Sequence, residues 1–288
     1  MMARFLAMFL LLPTLLQAGG EDWMKKLDAG KSLASLSIPG THDAGARFEP
    51  MAATAKCQEL TIPQQLEAGV RFLDIRCRHR KDTFRIHHGS VDQRIDFTTV
   101  QDEVLTFLEK NRGETVIMSV KEEHRPQGNS RTFPETFADL TAAHRDRWWL
   151  GKRVPTLGEA RGKIVLFRRF GAPGELGIDA TAWPNNRRFE QNGLRVQDRY
   201  RVASPEEKWQ EVEAMLEETR KAAGPLTLNF TSGYVTRGFG IPDITKVSRG
   251  VNPKVMEYLV ANPKAPVGVL VMDFITPELA KAIYQRNH

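Results

Sequence analysis

Residues 69–77 read Gly-Val-Arg-Phe-Leu-Asp-Ile-Arg-Cys, a short apolar run that carries charge toward its end. Its length and β-branched content predict a strand rather than a helix. Asp74 and Arg76 are two apart, so a strand sets both on one face. Similar runs occur at 33–39, 84–89, 115–121, 163–170, 194–198, 226–230 and 267–274. Helical segments lie between many of them. Ser204-Pro205-Glu206-Glu207 is a capping box with Pro at the first helical position, and Trp209, Val212, Met215 and Leu216 follow on one helix face. Val100, Val104, Leu105 and Leu108 make a similar stripe, and Thr276-Pro277-Glu278 opens a C-terminal helix. Strands alternating with helices imply a parallel sheet. The strand count over this chain length predicts an α/β fold, a single irregular (β/α)8 TIM-like barrel. The irregularity is expected at 84–89, which follows its predecessor after about six residues, too few for a crossover helix. The competing architecture is an open doubly wound sheet, but no Gly-x-Gly-x-x-Gly follows a first strand.

The 288 residues are 41% apolar and 26% charged, with ordinary Gly and Pro counts of 22 and 16. This composition argues against long disorder, a multi-span membrane protein and a collagen-like chain. A formal charge of +6 favours contact with anionic surfaces or phosphate substrates. No long run of consecutive lysines and arginines is present, which argues against a nucleic-acid partner. Residues 1–20, MMARFLAMFLLLPTLLQAGG, place Arg4 before an apolar run from Phe5 to Leu16 that small residues follow. The run is too short to span a bilayer and reads as a secretory signal peptide over residues 1–19, cleaved near Ala18 or Gly19, with a barrel domain over 20–288. The alternative is an uncleaved anchor. The expected location is therefore secreted. Outside the cytosol Cys57 and Cys77 either form a disulfide, worth ~3 kcal/mol for a loop of about 20 residues, or remain free buried thiols.

Polar residues gather at the C-terminal ends of the predicted strands. These ends carry Gly40-Thr41-His42-Asp43, Asp74 with Arg76, His87-His88-Gly89, Lys121-Glu122-Glu123, Arg168-Arg169, Asp198-Arg199-Tyr200 and Asp273. In a barrel those ends converge on one mouth, where active sites form. No HExxH and no Cys/His zinc spacing is present. His42 and His88 suit a general base and a general acid. Arg76 and Lys121 suit an anionic centre, and Arg offers phosphate a fork of donors. Base, acid and guanidinium together describe phosphodiester cleavage.

Ser37-Ile38-Pro39-Gly40-Thr41-His42-Asp43-Ala44-Gly45 resembles the first signature of bacterial phosphatidylinositol-specific phospholipases C. Phe72-Leu73-Asp74-Ile75-Arg76, Ile86-His87-His88-Gly89, the segment 113–121 and Val271-Met272-Asp273-Phe274 are similar to its later signatures. The resemblance implies a distorted barrel and a cyclising mechanism. His42, paired with Asp273, would deprotonate the inositol 2-hydroxyl. His88, supported by Asp43, would protonate the leaving diacylglycerol oxygen. Arg76, oriented by Asp74, would bind the phosphate. The products would be diacylglycerol and inositol 1,2-cyclic phosphate, from phosphatidylinositol; glycosylphosphatidylinositol anchors present the same head group near the bond. Lys121, Arg169 (rather than Arg168), Asp198 and Tyr200 would contact the inositol. Calcium-dependent relatives carry an acidic ligand at the position of Arg76, so the resemblance implies no metal and no cofactor. An oxygen-ligand site from Asp43, Asp74 and Glu122 is the alternative. The expected partner is a phosphatidylinositol-containing membrane surface, met transiently by a monomer. Tryptophans used by some relatives are not matched: the segment Arg47–Lys56 holds Phe48 and Met51 but no Trp, and the loop Gly233–Pro242 offers Tyr234 and Phe239 as candidate interfacial residues. Two other readings compete: a glycerophosphodiester-type phosphodiesterase, whose early His-Arg-Gly motif is not seen, and a non-catalytic lipid-binding barrel, which the presence of both histidines opposes.

Overall fold

The run at 69–77 forms a strand, Phe72–Arg80, whose alternation separates two environments. Phe72 belongs to the apolar filling of the barrel, while Leu73, Ile75 and Cys77 join the layer between strands and helices. The computed structural model describes residues 20–221 and 224–288. The predicted signal peptide, residues 1–19, lies outside the described residues. In chain order the strands are β1 (Ile38–Thr41), β2 (Phe72–Arg80), β3 (Thr83–His88), β4 (Val91–Asp96), β5 (Val116–Glu122), β6 (Trp148–Trp149) and β7 (Ile164–Arg169). They continue as β8 (Ile178–Asp179), β9 (Arg188–Gln191), β10 (Leu194–Gln197), β11 (Leu226–Phe230), β12 (Val235–Thr236), β13 (Pro242–Asp243) and β14 (Val269–Met272). The helices are α1 (Ile62–Glu67), α2 (Phe97–Lys110), α3 (Phe133–Thr141), α4 (Leu157–Ala160), α5 (Pro205–Lys221), α6 (Ile244–Ala261) and α7 (Pro277–Tyr284).

The main sheet runs β6-β7-β5-β2-β1-β14-β11-β10-β9. Every ladder from β6 to β10 is parallel, and β9 closes the row as an antiparallel edge. The short β8 pairs in parallel with the end of β7. Among the described residues no ladder joins β6 or β8 to β9, so the irregular barrel is open along that seam. Ser204 caps α5 as expected, accepting from Glu207 N–H at 3.2 Å, but the Glu207 carboxylate accepts from Ala203 N–H at 2.7 Å instead of from Ser204, so the predicted box is only half formed. Thr276 caps α7 by accepting from Leu279 N–H at 3.3 Å.

One predicted barrel strand needs correction. The run at 84–89 forms β3 up to His88, and this strand pairs antiparallel to β2 and not as a parallel member of the barrel. Lys81 and Asp82 turn the chain with φ of 52° and 54°. That is the turn that suits a two-residue hairpin. The remaining place in the parallel row is taken by β6, whose two residues are too short to read as an apolar run. Cys57 and Cys77 are both buried and free, so the fold contains no bridge between them.

The end of the barrel away from the polar strand ends is locked by a buried ion pair. Arg71 and Glu114 are fully buried and 2.9 Å apart. The Arg71 guanidinium also donates to the carbonyls of Leu66, Val70, Gly20 and Glu21 at 2.8–2.9 Å. Such a charge is tolerable only because each donor has a partner. Among the described residues no helix is long and apolar enough to cross a membrane.

Candidate active site

Alternation along the central strands fills the barrel with apolar side chains at one end and polar ones at the other. On β2 the inward face runs Phe72, Asp74, Arg76; on β5 it runs Ile117, Ser119, Lys121; on β7 it runs Val165, Phe167, Arg169. Register aligns them across the sheet: Asp74 lies beside Ser119, Arg76 beside Lys121, and Lys121 beside Arg169. The neighbouring strands β1 and β14 pair Thr41 with Met272, so the next residues, His42 and Asp273, leave the sheet together.

Those two residues form a tight pair. His42 Nδ1 lies 2.7 Å from Asp273 Oδ1, and Arg76 Nη2 lies 2.7 Å from His42 Nε2. Guanidinium only donates, so Nε2 accepts and Nδ1 carries the proton toward the carboxylate. Gln58 fixes this arrangement from behind. Its Nε2 donates to the carbonyls of His42 and Met272, each at 2.8 Å. Asp43 and Phe274, each following one member of the pair, take left-handed φ of 44° and 50°. Hydrogen bonds from Ala44 N–H to the Asp74 carbonyl (2.8 Å) and from Phe274 N–H to the Cys57 carbonyl (2.7 Å) hold these turns. Sparsely populated backbone of this kind persists where surrounding structure enforces it.

Arg76 sits among carboxylates. Its Nε donates to Asp74 Oδ2 at 3.1 Å and lies 3.6 Å from Asp43 Oδ2, and its Nη1 is 4.0 Å from Glu123. Asp74 also accepts from Ser119 Oγ at 3.3 Å and from Arg169 Nη1 at 3.5 Å. His88, on β3, approaches Asp43 Oδ2 at 3.8 Å. The hairpin that departs from barrel regularity therefore delivers this histidine to the site.

The charges shift one another. Burial opposes ionisation of Asp74, yet Arg76 and Arg169 hold its carboxyl far below the usual range. Burial pushes Asp43 up to about 7 against the pull of Arg76. Burial, reinforced by Arg76 and His42, pushes His88 down to about 4. In His42 burial favours the neutral ring, but the charge and hydrogen bond of Asp273 outweigh it and raise the imidazole. Burial and Arg76 both lower Lys121.

A cavity of about 760 Å³ opens over these groups. His42, Arg76, His88, Lys121, Arg169, Asp198, Tyr200 and Asp273 all line it. Asp43 and Asp74 are fully buried behind Arg76. Asp198 accepts from Trp183 Nε1 at 2.9 Å, and the Arg169 guanidinium stacks 3.7 Å above the Trp183 ring. The Tyr200 hydroxyl donates to Asn185 Oδ1 at 2.5 Å. Arg168 turns away and bonds to the carbonyls of Leu176 and Phe170, each at 2.7 Å. Glu122 is exposed on the opposite face of β5 from Lys121, so the alternative oxygen-ligand set of Asp43, Asp74 and Glu122 is not assembled.

Known proteins resemble this chain over most of its length. A protein called 1-phosphatidylinositol phosphodiesterase from Staphylococcus aureus is 31% identical over 276 residues, covering 88% of each chain. The chain belongs to the bacterial phosphatidylinositol-specific phospholipase C family. Residues 50–170 match the family described as phosphatidylinositol-specific phospholipase C, X domain. A namesake of the phosphodiesterase from Listeria monocytogenes is 29% identical over 285 residues, covering 93% of this chain and 85% of the relative. A solved phosphatidylinositol-specific phospholipase C from S. aureus superposes with a TM-score of 0.83 at 30% identity, over 93% of this chain and 98% of that one. The L. monocytogenes enzyme superposes at 0.78 and 28% identity, over 93% and 99% of the respective chains. The barrel expected from the sequence is thus the fold of the family, opened along one seam.

The structure adds side chains to this family site that sequence reasoning did not select. Glu123 accepts from Lys121 Nζ at 2.6 Å and is held down at about 2 by Arg76 and Lys121 despite burial. Its spacing of two from Lys121 is the signal that could have found it. Gln58 and Trp183 lie in irregular segments, where no period marks an inward side chain.

Proposed function

We propose that the chain is a secreted phosphatidylinositol-specific phospholipase C that cleaves phosphatidylinositol to diacylglycerol and inositol 1,2-cyclic phosphate without a metal. The observation that carries this reading is the linked set Asp273–His42–Arg76–Asp43–His88 at one cavity. In the reaction His42 Nε2 exchanges Arg76 for the inositol 2-hydroxyl and takes its proton as the oxygen attacks phosphorus. Asp273 stabilises the imidazolium that forms, and Arg76 faces the charge developing on the phosphoryl oxygens. His88 gives its proton to the diacylglycerol oxygen as the P–O bond breaks. In the free site the proton of the Asp43–His88 pair resides on Asp43, because burial disfavours its carboxylate and Arg76 disfavours a charged His88. A bound phosphodiester anion offsets Arg76 and moves that proton to His88. Arg76 supplies the fixed cation that a metal supplies elsewhere. Lys121, Arg169, Asp198 and Tyr200 bind the inositol ring.

The enzyme acts as a monomer on a phosphatidylinositol-containing surface; a solved S. aureus relative is described in terms of membrane binding. Met51 and Phe239 are 55% and 106% exposed on loops joined by an Arg237 bond to the Ala52 carbonyl at 3.1 Å. Phe48 lies under Arg94 at 3.5 Å and Tyr234 accepts from Arg201, so Met51 and Phe239 are the interfacial pair. Export with removal of residues 1–19 is supported by Arg4 followed by the short apolar run from Phe5 to Leu16 and small residues after it.

The test is phosphorus NMR of phosphatidylinositol vesicles with the purified protein in excess EDTA. A cyclic phosphodiester resonance is expected. Activity that requires added calcium would overturn the role of Arg76, and silence under both conditions would overturn the reading itself.

A further inference from the structure

Cys57 has no part in the reaction above, yet its thiol lies at the centre of the site. Its Sγ is within 4.8 Å of ligand atoms of His42 and Asp273 on one side and of Asp43 and His88 on the other. The two sets differ in how occupied they are. Both His42 nitrogens are engaged, by Asp273 and by Arg76, each at 2.7 Å. Among the described residues His88 makes no side-chain hydrogen bond and only approaches Asp43 at 3.8 Å. Asp43 is fully buried, and neither of its carboxylate oxygens has a hydrogen-bond partner among the described residues. A buried carboxylate so placed is expected to have a partner.

We propose that Asp43, Cys57 and His88 form a site for a borderline-soft divalent cation, zinc in the first instance, that switches the enzyme off. One oxygen, one nitrogen and one sulfur suit zinc, with bonds of about 2.0–2.3 Å. They do not suit calcium or magnesium, which take oxygen ligands. Drawing the donors onto an ion requires shifts of about 1 Å, and His88 at the cavity wall provides the entry path. On binding, the Cys57 S–H and Asp43 O–H bonds break, both protons leave to solvent, and the thiolate and carboxylate bond the metal; no electron is transferred. The positive charge of Arg76 opposes the ion, but the carboxylates of Asp74, Glu123 and Asp198 beside it offset that charge. The fourth position stays open to water. The metal ties up His88 and Asp43, so the inhibitory consequence, but not the binding, rests on the proposed reaction.

The experiment titrates EDTA-stripped protein with cobalt(II), then zinc, and measures phosphatidylinositol cleavage in parallel. A thiolate-to-cobalt absorption band in the near ultraviolet is expected at one equivalent, bleached by zinc, with zinc inhibition that EDTA reverses. Cys57→Ala is expected to abolish the band, keep metal-free activity and weaken zinc inhibition by more than about tenfold, beyond the smallest effect of losing an outer partner. Cys57→Ser serves if the alanine variant does not fold, and Cys77→Ala is expected to keep the band. No band, a band that survives in both Cys57 variants, or unchanged zinc inhibition in them would overturn the site. A protein that gives the band but cleaves no phosphatidylinositol overturns the proposed reaction and leaves the metal site standing.

Discussion

Asp273 offers a test that separates charge from tautomer. Its Oδ1 is 2.7 Å from His42 Nδ1, and its backbone is held independently by Asn252, which donates to its carbonyl at 2.9 Å. Asp273→Ala removes a charge-assisted hydrogen bond to the imidazolium, worth ~1.5–3 kcal/mol. The expected loss in kcat/KM is roughly 10–150-fold. Asp273→Asn is expected to be worse, although it preserves shape. Its amide nitrogen can donate to Nδ1, which drives the proton to Nε2, the atom that must act as base. A comparable tautomer error in another histidine–aspartate pair costs ~10⁴-fold. Both variants also lose the charge that raises the His42 pKa, leaving burial and Arg76 to lower it. A general base works when neutral, so the acid limb of the kcat/KM profile moves to lower pH in both. The assay is initial rate against pH on phosphatidylinositol micelles, with melting curves as the control for folding. An asparagine variant as active as the alanine one, or an acid limb that stays in place, would refute the assignment of His42 Nε2 as base.

Glu114→Ala strands the buried Arg71 charge and is expected to cost ~3–5 kcal/mol. At about 2–4 °C per kcal/mol this lowers the melting temperature by roughly 6–20 °C, with cleavage intact in the cold; a shift below about 2 °C contradicts the account. Met51→Ser with Phe239→Ser is expected to weaken vesicle binding by about tenfold or more, since a buried apolar side chain contributes ~1.5–3 kcal/mol. Hydrolysis of a soluble cyclic inositol phosphate is expected to be unchanged, and undiminished vesicle binding would remove these residues from the interface.

The barrel was legible wherever a strand was long enough to repeat. The runs that became β1, β2, β5, β7, β10 and β14 each carry an apolar stretch ending in polar groups, and that ending is the site, while β11 was legible from its apolar run alone. The members outside this pattern are short or irregular. β6 and β8 have two residues each and are defined by hydrogen bonds to β7, a relation that no local pattern encodes. Trp183 reaches Asp198 and Arg169 from the segment after β8, where the path of the chain follows tertiary packing. Gln58 acts through its amide on backbone carbonyls of two distant strands, and glutamine has no motif for that.

The hairpin shows why the one misread strand matters most. β2 continues past Arg76 to Arg80, beyond its parallel partner, and its outer end needs hydrogen bonds of its own. A crossover helix cannot fit in the gap to the next run, so β3 returns antiparallel, with Cys77 opposite Ile86. Each further residue of β3 then steps back along β2. His88 thereby comes level with the segment that holds Arg76, close enough for Asp43 to lie 3.6 Å from Arg76 and 3.8 Å from His88. A regular βαβ unit would send the chain over the outside of the barrel before its next strand and place a histidine on a different barrel position. The departure from regular topology is thus the means by which one stretch of chain, residues 74–88, brings both Arg76 and the second histidine to the same carboxylate.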